Sequence, residues 1–502
     1  METLQLSFLP ATSHAVAQKS ACTQIPSSSS LSLSLSCRRA NHSIIASRCS
    51  SKNSIVISER LNNTATPWLM LPSVSDETTG DKLDCFYSLA DGQTVRLNRK
   101  KTLQVPDTAT CIASTMGWLG YVDAKDGRVY LSNPFLKDVV ELPSLETLPL
   151  VLGVRRDPIT NDILHFNVRV SDYDTHWDRS ELDPYYLVKP EDMIYHLSNL
   201  SLSSADPRGC DCVVMALQGD GYRRLAYCPI SRKFTHDTDF DGLAHQFDPN
   251  CWTGLQEDYV HFPGLAYNQV VYDTRRSLFY AMFDESGILA FDVLSDRGRR
   301  SKMVFNIRKE NLVYRLKREF EEQGSEALKD LRNRCKTRYY LVCLENGDLL
   351  LIARHYEIPK GFILCSVPHK TLHFDVFRVV YSGNLEPVTC LNNDRAIFIG
   401  FNQSFCIRAS SSPGIKPNCI YFTDDVSSGN YNVHSRNQWG HDMGIFDMED
   451  GNVTPFYPYQ DEQEEKKVPL STPLFWVAPL LSDIWYLARE QGLDEDKLAE
   501  LG

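Results

Sequence analysis

The stretch Tyr340-Leu-Val-Cys-Leu-Glu-Asn-Gly-Asp-Leu-Leu350 decides the fold. An apolar run reaches Glu-Asn-Gly-Asp, and a second apolar run starts at once. Asn-Gly supplies the positive φ that a two-residue hairpin needs, so the segment reads as a β-hairpin. Tyr121-Val-Asp-Ala-Lys-Asp-Gly-Arg-Val-Tyr130 and Ile445-Phe-Asp-Met-Glu-Asp-Gly-Asn-Val453 repeat the logic, and Asp91-Gly92 adds another turn. Between such turns lie short runs rich in β-branched and aromatic residues: Cys85–Leu89, Gly127–Leu131, Cys210–Leu217, Ser277–Phe283, Phe374–Val380, Ala396–Gly400 and Asn418–Phe422. Residues of that kind favour strands. Roughly two dozen candidate strands are too many for one sandwich. They fit an all-β protein, a β-propeller of about six four-stranded blades.

Two segments depart from this pattern. Residues 309–335 are strongly charged, with Leu312, Leu316 and Phe320 at four-residue steps and Leu328 and Leu331 after Gly324. This spacing predicts a helical insertion in the propeller. Residues 481–502 read as a C-terminal helical tail, capped by Ser482, with Ile484, Trp485 and Ala488 on one face and Gly492 as a stop. The propeller itself is expected over 59–480.

Residues 1–58 differ in kind. Glu2 is their one acid, against Lys19, Arg38, Arg39, Arg48 and Lys52, and Ser27 to Ser36 is a low-complexity serine tract. Such a chain has too little apolar surface to offset its entropy and is expected to be disordered. Serine-rich, acid-poor composition with a few arginines is that of an organellar transit peptide. Late arginines and high serine favour the chloroplast, with the mitochondrion as the alternative. The whole chain has a formal charge of −12, the leader contributes +4, and the body therefore carries −16. An acidic body repels phosphate backbones, so nucleic acid is not an expected partner. No apolar run reaches about 18 residues, so no membrane span is expected.

The residues offer little catalytic chemistry. The 15 cysteines are scattered without a Cys-x-x-Cys and read as buried reduced thiols. Asp237-Thr-Asp239-Phe-Asp241-Gly242 matches the opening of a calcium loop. However, its ninth position is His245 and its twelfth Asp248, and Pro229 and Pro249 flank it, so a solvated acidic loop competes with calcium. Asp172, Asp174, His176 and Asp178 form a polar cluster without a second group of ligands. No nucleophile elbow, phosphate loop, dinucleotide motif or His-Glu-x-x-His occurs. No catalytic, cofactor-binding or metal-ligating residue is assigned, and no cofactor is expected.

Several stretches resemble the plant KIB-type β-propeller family, an F-box-associated domain. They are Pro67-Trp-Leu-Met-Leu-Pro72, Cys85-Phe-Tyr-Ser-Leu-Ala-Asp-Gly92, Gly117-Trp-Leu-Gly-Tyr121, Leu131-Ser-Asn-Pro-Phe135, Leu349-Leu-Leu-Ile-Ala-Arg354, Phe398-Ile-Gly-Phe-Asn-Gln-Ser404, Pro413 to Asp425, Asp442-Met-Gly-Ile-Phe446 and Leu474-Phe-Trp476. The resemblance covers about residues 66–480. It implies a ring joined by pairing the strand near Trp68 with the last blade near Trp476. Ubiquitin-ligase members of the family carry an F-box ahead of the propeller; here the serine-rich leader stands in that place, as in an organellar branch of the family. The expectation is a non-catalytic propeller that binds a protein of unspecified identity. A cytosolic or nuclear ubiquitin-ligase adaptor or kinase-binding regulator, and an enzyme, are the alternatives.

Overall fold

The computed structural model describes residues 66–169, 185–208, 212–219, 223–230, 250–255, 266–283, 287–293, 301–306, 334–358, 369–380, 384–425, 442–456 and 473–478. The leader, the C-terminal tail, the loop of Asp237, Asp239 and Asp241 and the cluster of Asp172 to Asp178 lie outside these residues. So does the expected helical insertion, apart from its last two positions, where Cys335 already opens a strand.

Among the described residues seven sheets are present, and six of them form a ring of blades. Blade 1 comprises Trp68–Ser75, Lys82–Ser88 and Thr94–Asn98, completed by Phe475–Val477 from the far end of the chain. Blade 2 runs from Ala109–Thr115 to Asp138–Leu142, blade 3 from Leu197–Leu202 to Thr253–Gly254, and blade 4 from Tyr267–Asp273 to Ser301–Asn306. Blade 5 holds Cys335–Cys343, Leu349–Glu357, Lys370–Val380 and Asn384–Pro387. Blade 6 has five strands, in which Arg395–Ile399 lies parallel to Cys419–Phe422 and is edged by Phe405–Arg408.

The seventh sheet is three-stranded: Val151–Arg156, Ile163–Arg169 and Tyr185–Val188. It follows blade 2 in the chain but takes no place in the ring. The inner strands of blades 2 and 3 are direct neighbours, and the Leu202 amide donates to Thr115 Oγ1 at 3.4 Å. The expectation of about six blades therefore matches the ring, and the extra sheet is an insertion beside the seam between blades 2 and 3.

Six apolar cores, one per seam, explain why the strands read as continuous hydrophobic runs. In Leu278–Phe283, Phe279, Ala281 and Phe283 face blade 3, while Tyr280 and Met282 face blade 5. A blade buried on both faces spends alternate residues on two different cores. The seam between blades 6 and 1 contains Phe398, Tyr421, Leu69 and Trp476, with Phe398 stacked on Tyr421 at 4.7 Å and Trp476 edge-on to Phe398 at 5.2 Å. Leu69 pairs with Trp476 in register, so the closing strand joins the two ends of the chain. The pairing expected near Trp68 and Trp476 is the one found.

The turns differ in detail from the two-residue hairpins expected. Gly92, Gly127, Gly347 and Gly451 do have positive φ, from 66° to 83°. Yet Gly127 is the last of four loop residues. Its amide donates to the Asp123 carbonyl at 2.9 Å, and the Asp123 amide donates to the Arg128 carbonyl at 2.9 Å. Asp447 and Gly451 repeat this pattern. Each leading aspartate also accepts from the amide two residues on, Lys125 for Asp123 and Glu449 for Asp447. This is the Asx geometry that competes with a tighter turn.

Candidate functional site

The ring's axis is occupied by its own chain. After Arg395–Ile399, blade 6 sends Gly400-Phe-Asn-Gln-Ser404 inward. The Gln403 amide donates to the Ser114 carbonyl at 2.8 Å, and Thr115 Oγ1 donates to the Gln403 side chain, both on the inner strand of blade 2. Gln269 Nε2, on the inner strand of blade 4, donates to Ser404 Oγ at 2.6 Å. Phe401 packs against Phe475 of blade 1 at 6.3 Å. A segment touching blades 2, 4 and 6, spaced alternately around a six-membered ring, must sit on the axis. Gly400 makes this departure possible: a Cβ there would lie 2.0 Å from Thr423 Oγ1.

A chain of polar contacts links the inner strands around this segment. The Val270 amide donates to Asn199 Oδ1 at 2.8 Å, joining blades 4 and 3. The Leu341 amide donates to Gln269 Oε1 at 2.5 Å, joining blades 5 and 4. Inner-strand amides that point down a channel have no neighbouring strand to satisfy them, so side chains do so. Beside these contacts a polar pocket of about 20 Å³ is lined by Asn199, Gln269, Arg338, Tyr340, Phe401 and Asp425. Such a space holds a water or two.

Behind the pocket, blades 5 and 6 share a buried charge cluster. Arg354, fully buried, donates from Nη1 to Asp425 Oδ1 at 3.0 Å and from Nη2 to Asp442 Oδ2 at 3.0 Å. Its Nε donates to Thr371 Oγ1 at 2.8 Å, and its remaining donors reach the carbonyls of Thr423 and Asp442, each at 3.1 Å. The guanidinium also stacks over Phe422 at 4.7 Å. Tyr340 donates its hydroxyl to Asp425 at 2.8 Å; burial first, and then the Asp425 charge, push that phenol well above its ordinary pKa. Asp425 Oδ2 faces Arg338 Nε at 2.9 Å, and Arg338 remains partly exposed at the pocket. A buried ion cluster is tolerated only when nearly every donor and acceptor is matched, and Arg354 meets that condition. A smaller cluster joins blades 1 and 2, where Arg99 Nε donates to Asp84 Oδ2 at 3.0 Å and Tyr121 donates to the same oxygen at 2.9 Å.

Three strands of blade 5 carry a second polar line. Thr337 Oγ1 lies 3.0 Å from His355 Nδ1, and His355 Nε2 lies 3.0 Å from Asp375 Oδ2. His373 Nε2 is 3.6 Å from Asp375 Oδ1. Burial pushes the Asp375 carboxyl up, but hydrogen bonds and charge from His355 and His373 outweigh it and hold the carboxyl below its ordinary range. Of the described cysteines, all are free thiols, but only Cys85, Cys111, Cys212, Cys228 and Cys419 are buried as expected; Cys251, Cys335, Cys343 and Cys406 are half-buried and Cys390 is exposed. Burial pushes Cys212 up to about 11.

No site residue was assigned from the sequence, and the axial residues Gln269, Gln403, Arg338 and Asn199 were missed. One signal was available. Arg354 ends the apolar run Leu349–Ala353, and Asp424-Asp425 follow closely on Cys419–Phe422. Charges within or just after fully buried strands need partners.

Fold and axis together define a closed six-bladed β-propeller whose channel is filled by a segment of blade 6. The KIB1-4 beta-propeller family matches residues 86–447. The chain belongs to that family, and of the stretches that carried the resemblance, Leu349–Arg354, Phe398–Ser404, Pro413–Asp425 and Asp442–Phe446 supply residues of the axis and the Arg354 cluster. No match was found among curated proteins. Among solved structures, a putative 6-phosphogluconolactonase from Bacteroides fragilis is 12% identical with a TM-score of 0.31, over 82% of this chain and 98% of that one. Apo AztD from Citrobacter koseri is 9% identical with a TM-score of 0.27, over 83% and 100%. Oligogalacturonate lyase in complex with manganese is 10% identical with a TM-score of 0.25, over 84% and 100%. Likenesses this remote carry no argument about activity.

Proposed function

We propose that the protein is a non-catalytic binding propeller that recognises a protein partner inside the chloroplast, the mitochondrion being the alternative compartment. The observation that carries this reading is the filled axis. Propeller enzymes gather reacting groups around a channel that admits substrate, whereas here Gly400–Ser404 takes that space and the adjoining pocket holds about 20 Å³. Recognition then falls to surface left accessible beside the axis, where Arg338 of the strand Cys335–Cys343 is partly exposed and held by Asp425. Affinity purification from isolated organelles tests it: a stable partner is expected, and its recovery should fall when Arg338 is replaced by Glu. Repeated failure to recover one refutes the reading. A fluorescent fusion of residues 1–60 checks the compartment.

One observation favours a second reading. Thr337, His355 and Asp375 stand in the order hydroxyl, imidazole, carboxylate, which is also the order of a hydrolytic relay. Hydrolysis of a generic ester by the purified chain, lost in Thr337→Ala, would replace binding by catalysis. Co-precipitation with a Skp1-type linker would instead indicate a ligase adaptor.

A further inference from the structure

Beside the axis the ring uses up its acceptors and leaves donors over. The small polar pocket there is lined by Asn199, Gln269, Arg338 and Asp425, and also by Ser198 and Arg223. Gln269 is engaged at both ends, its Oε1 by the Leu341 amide and its Nε2 by Ser404 Oγ. Asn199 Oδ1 accepts from the Val270 amide. A backbone N–H can only donate, so that bond fixes which end of the Asn199 side chain is the oxygen. The other end, Nδ2, donates to none of the described residues. Arg338 meets Asp425 Oδ2 through Nε and lies over the Tyr340 ring, while neither Nη1 nor Nη2 donates a hydrogen bond to a described residue. Ser198 Oγ is buried without a partner among the described residues.

Charge and size narrow what could meet these donors. Arg338 and Arg223 line the pocket against one carboxylate, Asp425. That carboxylate is already answered, by Arg354 and Tyr340 on Oδ1 and by Arg338 on Oδ2. A further anion therefore finds unspent donors rather than a bare negative charge. The pocket of about 20 Å³ has room for one or two water-sized atoms. The two oxygens of a carboxylate match that room, and the planar fork of a guanidinium binds them with parallel N–H groups. Phosphate brings four oxygens, and a sugar or nucleotide is larger still.

We propose that this pocket is a carboxylate-binding site: Arg338 Nη1 and Nη2 hold the two oxygens of a single carboxylate presented by the protein partner, and Asn199 Nδ2 donates to one of them. The inference rests on the binding reading given above and adds the chemistry of its central contact. The carboxylate takes the place of pocket water, and the rest of the partner stays outside on the surface around Arg338.

The test titrates the full chain with carboxyl-labelled acetate and follows the broadening of its carbon NMR signal, with labelled acetamide and inorganic phosphate as comparisons. Acetate should broaden and acetamide should not. Arg338→Lys keeps a positive charge beside Asp425 but loses the fork, and should weaken acetate about tenfold. Asn199→Asp keeps an oxygen for the Val270 amide while exchanging the donor for a negative charge, and should abolish the broadening. N-acetylglycine, with a chain-end carboxylate, and the α-amide of N-acetylglutamate, with a side-chain one, should both displace acetate, and the stronger identifies the kind of carboxylate the partner presents. Broadening indifferent to both variants means an adventitious ion only and overturns the proposal. Phosphate broadening lost in Arg338→Lys, with no binding of acetate, overturns it in favour of a phosphorylated ligand. A partner recovered from organelles equally by the native chain and by Asn199→Asp refutes the contact but spares the binding reading; acetate held in the pocket with no partner recovered refutes the reading but spares the pocket.

Discussion

Arg354 is the residue on which the seam between blades 5 and 6 turns. It holds Asp425 and Asp442 in a buried place, so its removal strands two carboxylates. Arg354→Met should lower stability by about 3–5 kcal/mol, and adding Asp425→Asn with Asp442→Asn should recover part of the loss. Urea midpoints of the single and triple variants measure this. Asp375 gives a pH signature. Its folded pKa is depressed, so its contribution is complete above the unfolded carboxylate value near 4 and disappears as pH falls through the lower folded value. Stability read from urea midpoints between pH 5 and pH 3 should fall more steeply for the native chain than for Asp375→Asn, by about 1 kcal/mol over the window. Parallel curves would show that the two histidines do not stabilise the charge.

At the scale of elements, the segment Gly400–Ser404 behaves as a hub rather than a loop. It is short and makes contacts with blades 1, 2 and 4. Gly400→Ala places a methyl group inside contact distance of the Thr423 side chain, so Thr423 or its surroundings must shift. The expected loss is about 2 kcal/mol or more, accompanied by faster exchange of the Gln403 and Leu341 amides. Unchanged exchange would mean that the segment anchors nothing. Hairpin positions were legible in the sequence because Asp-Gly and Asn-Gly act locally. The loop length was not, because the leading aspartate's side chain bonds to the turn amides and favours the longer loop over the two-residue one.

For the molecule as a whole, ring closure is the decisive event. Phe475–Val477 supplies the inner strand of blade 1 after the chain has passed through every other blade. Trp476 is fully buried, and its indole N–H has no partner among the described residues. Trp476→Ala should cost about 3–5 kcal/mol and admit protease at the seam between blades 6 and 1, as limited proteolysis would reveal. Trp476→Phe, which removes the unpaired donor while keeping a ring, should remain closed; opening of both variants alike would mean that the indole nitrogen matters after all.

The sequence by itself determined the strands, the punctuating turns, the approximate number of blades and the charge of the surface, because these follow from side-chain period and local backbone preference. The charges of Arg354 and Asp425 could be read as needing partners, but not as each other's, since 71 residues separate them. Only the tertiary structure decided that Gly400–Ser404 occupies the axis, that Val151–Arg156, Ile163–Arg169 and Tyr185–Val188 form a sheet apart from the ring, and which polar side chains meet at its centre. Those outcomes depend on contacts between blades far apart in sequence, where closure of the ring, not local propensity, sets which groups become neighbours.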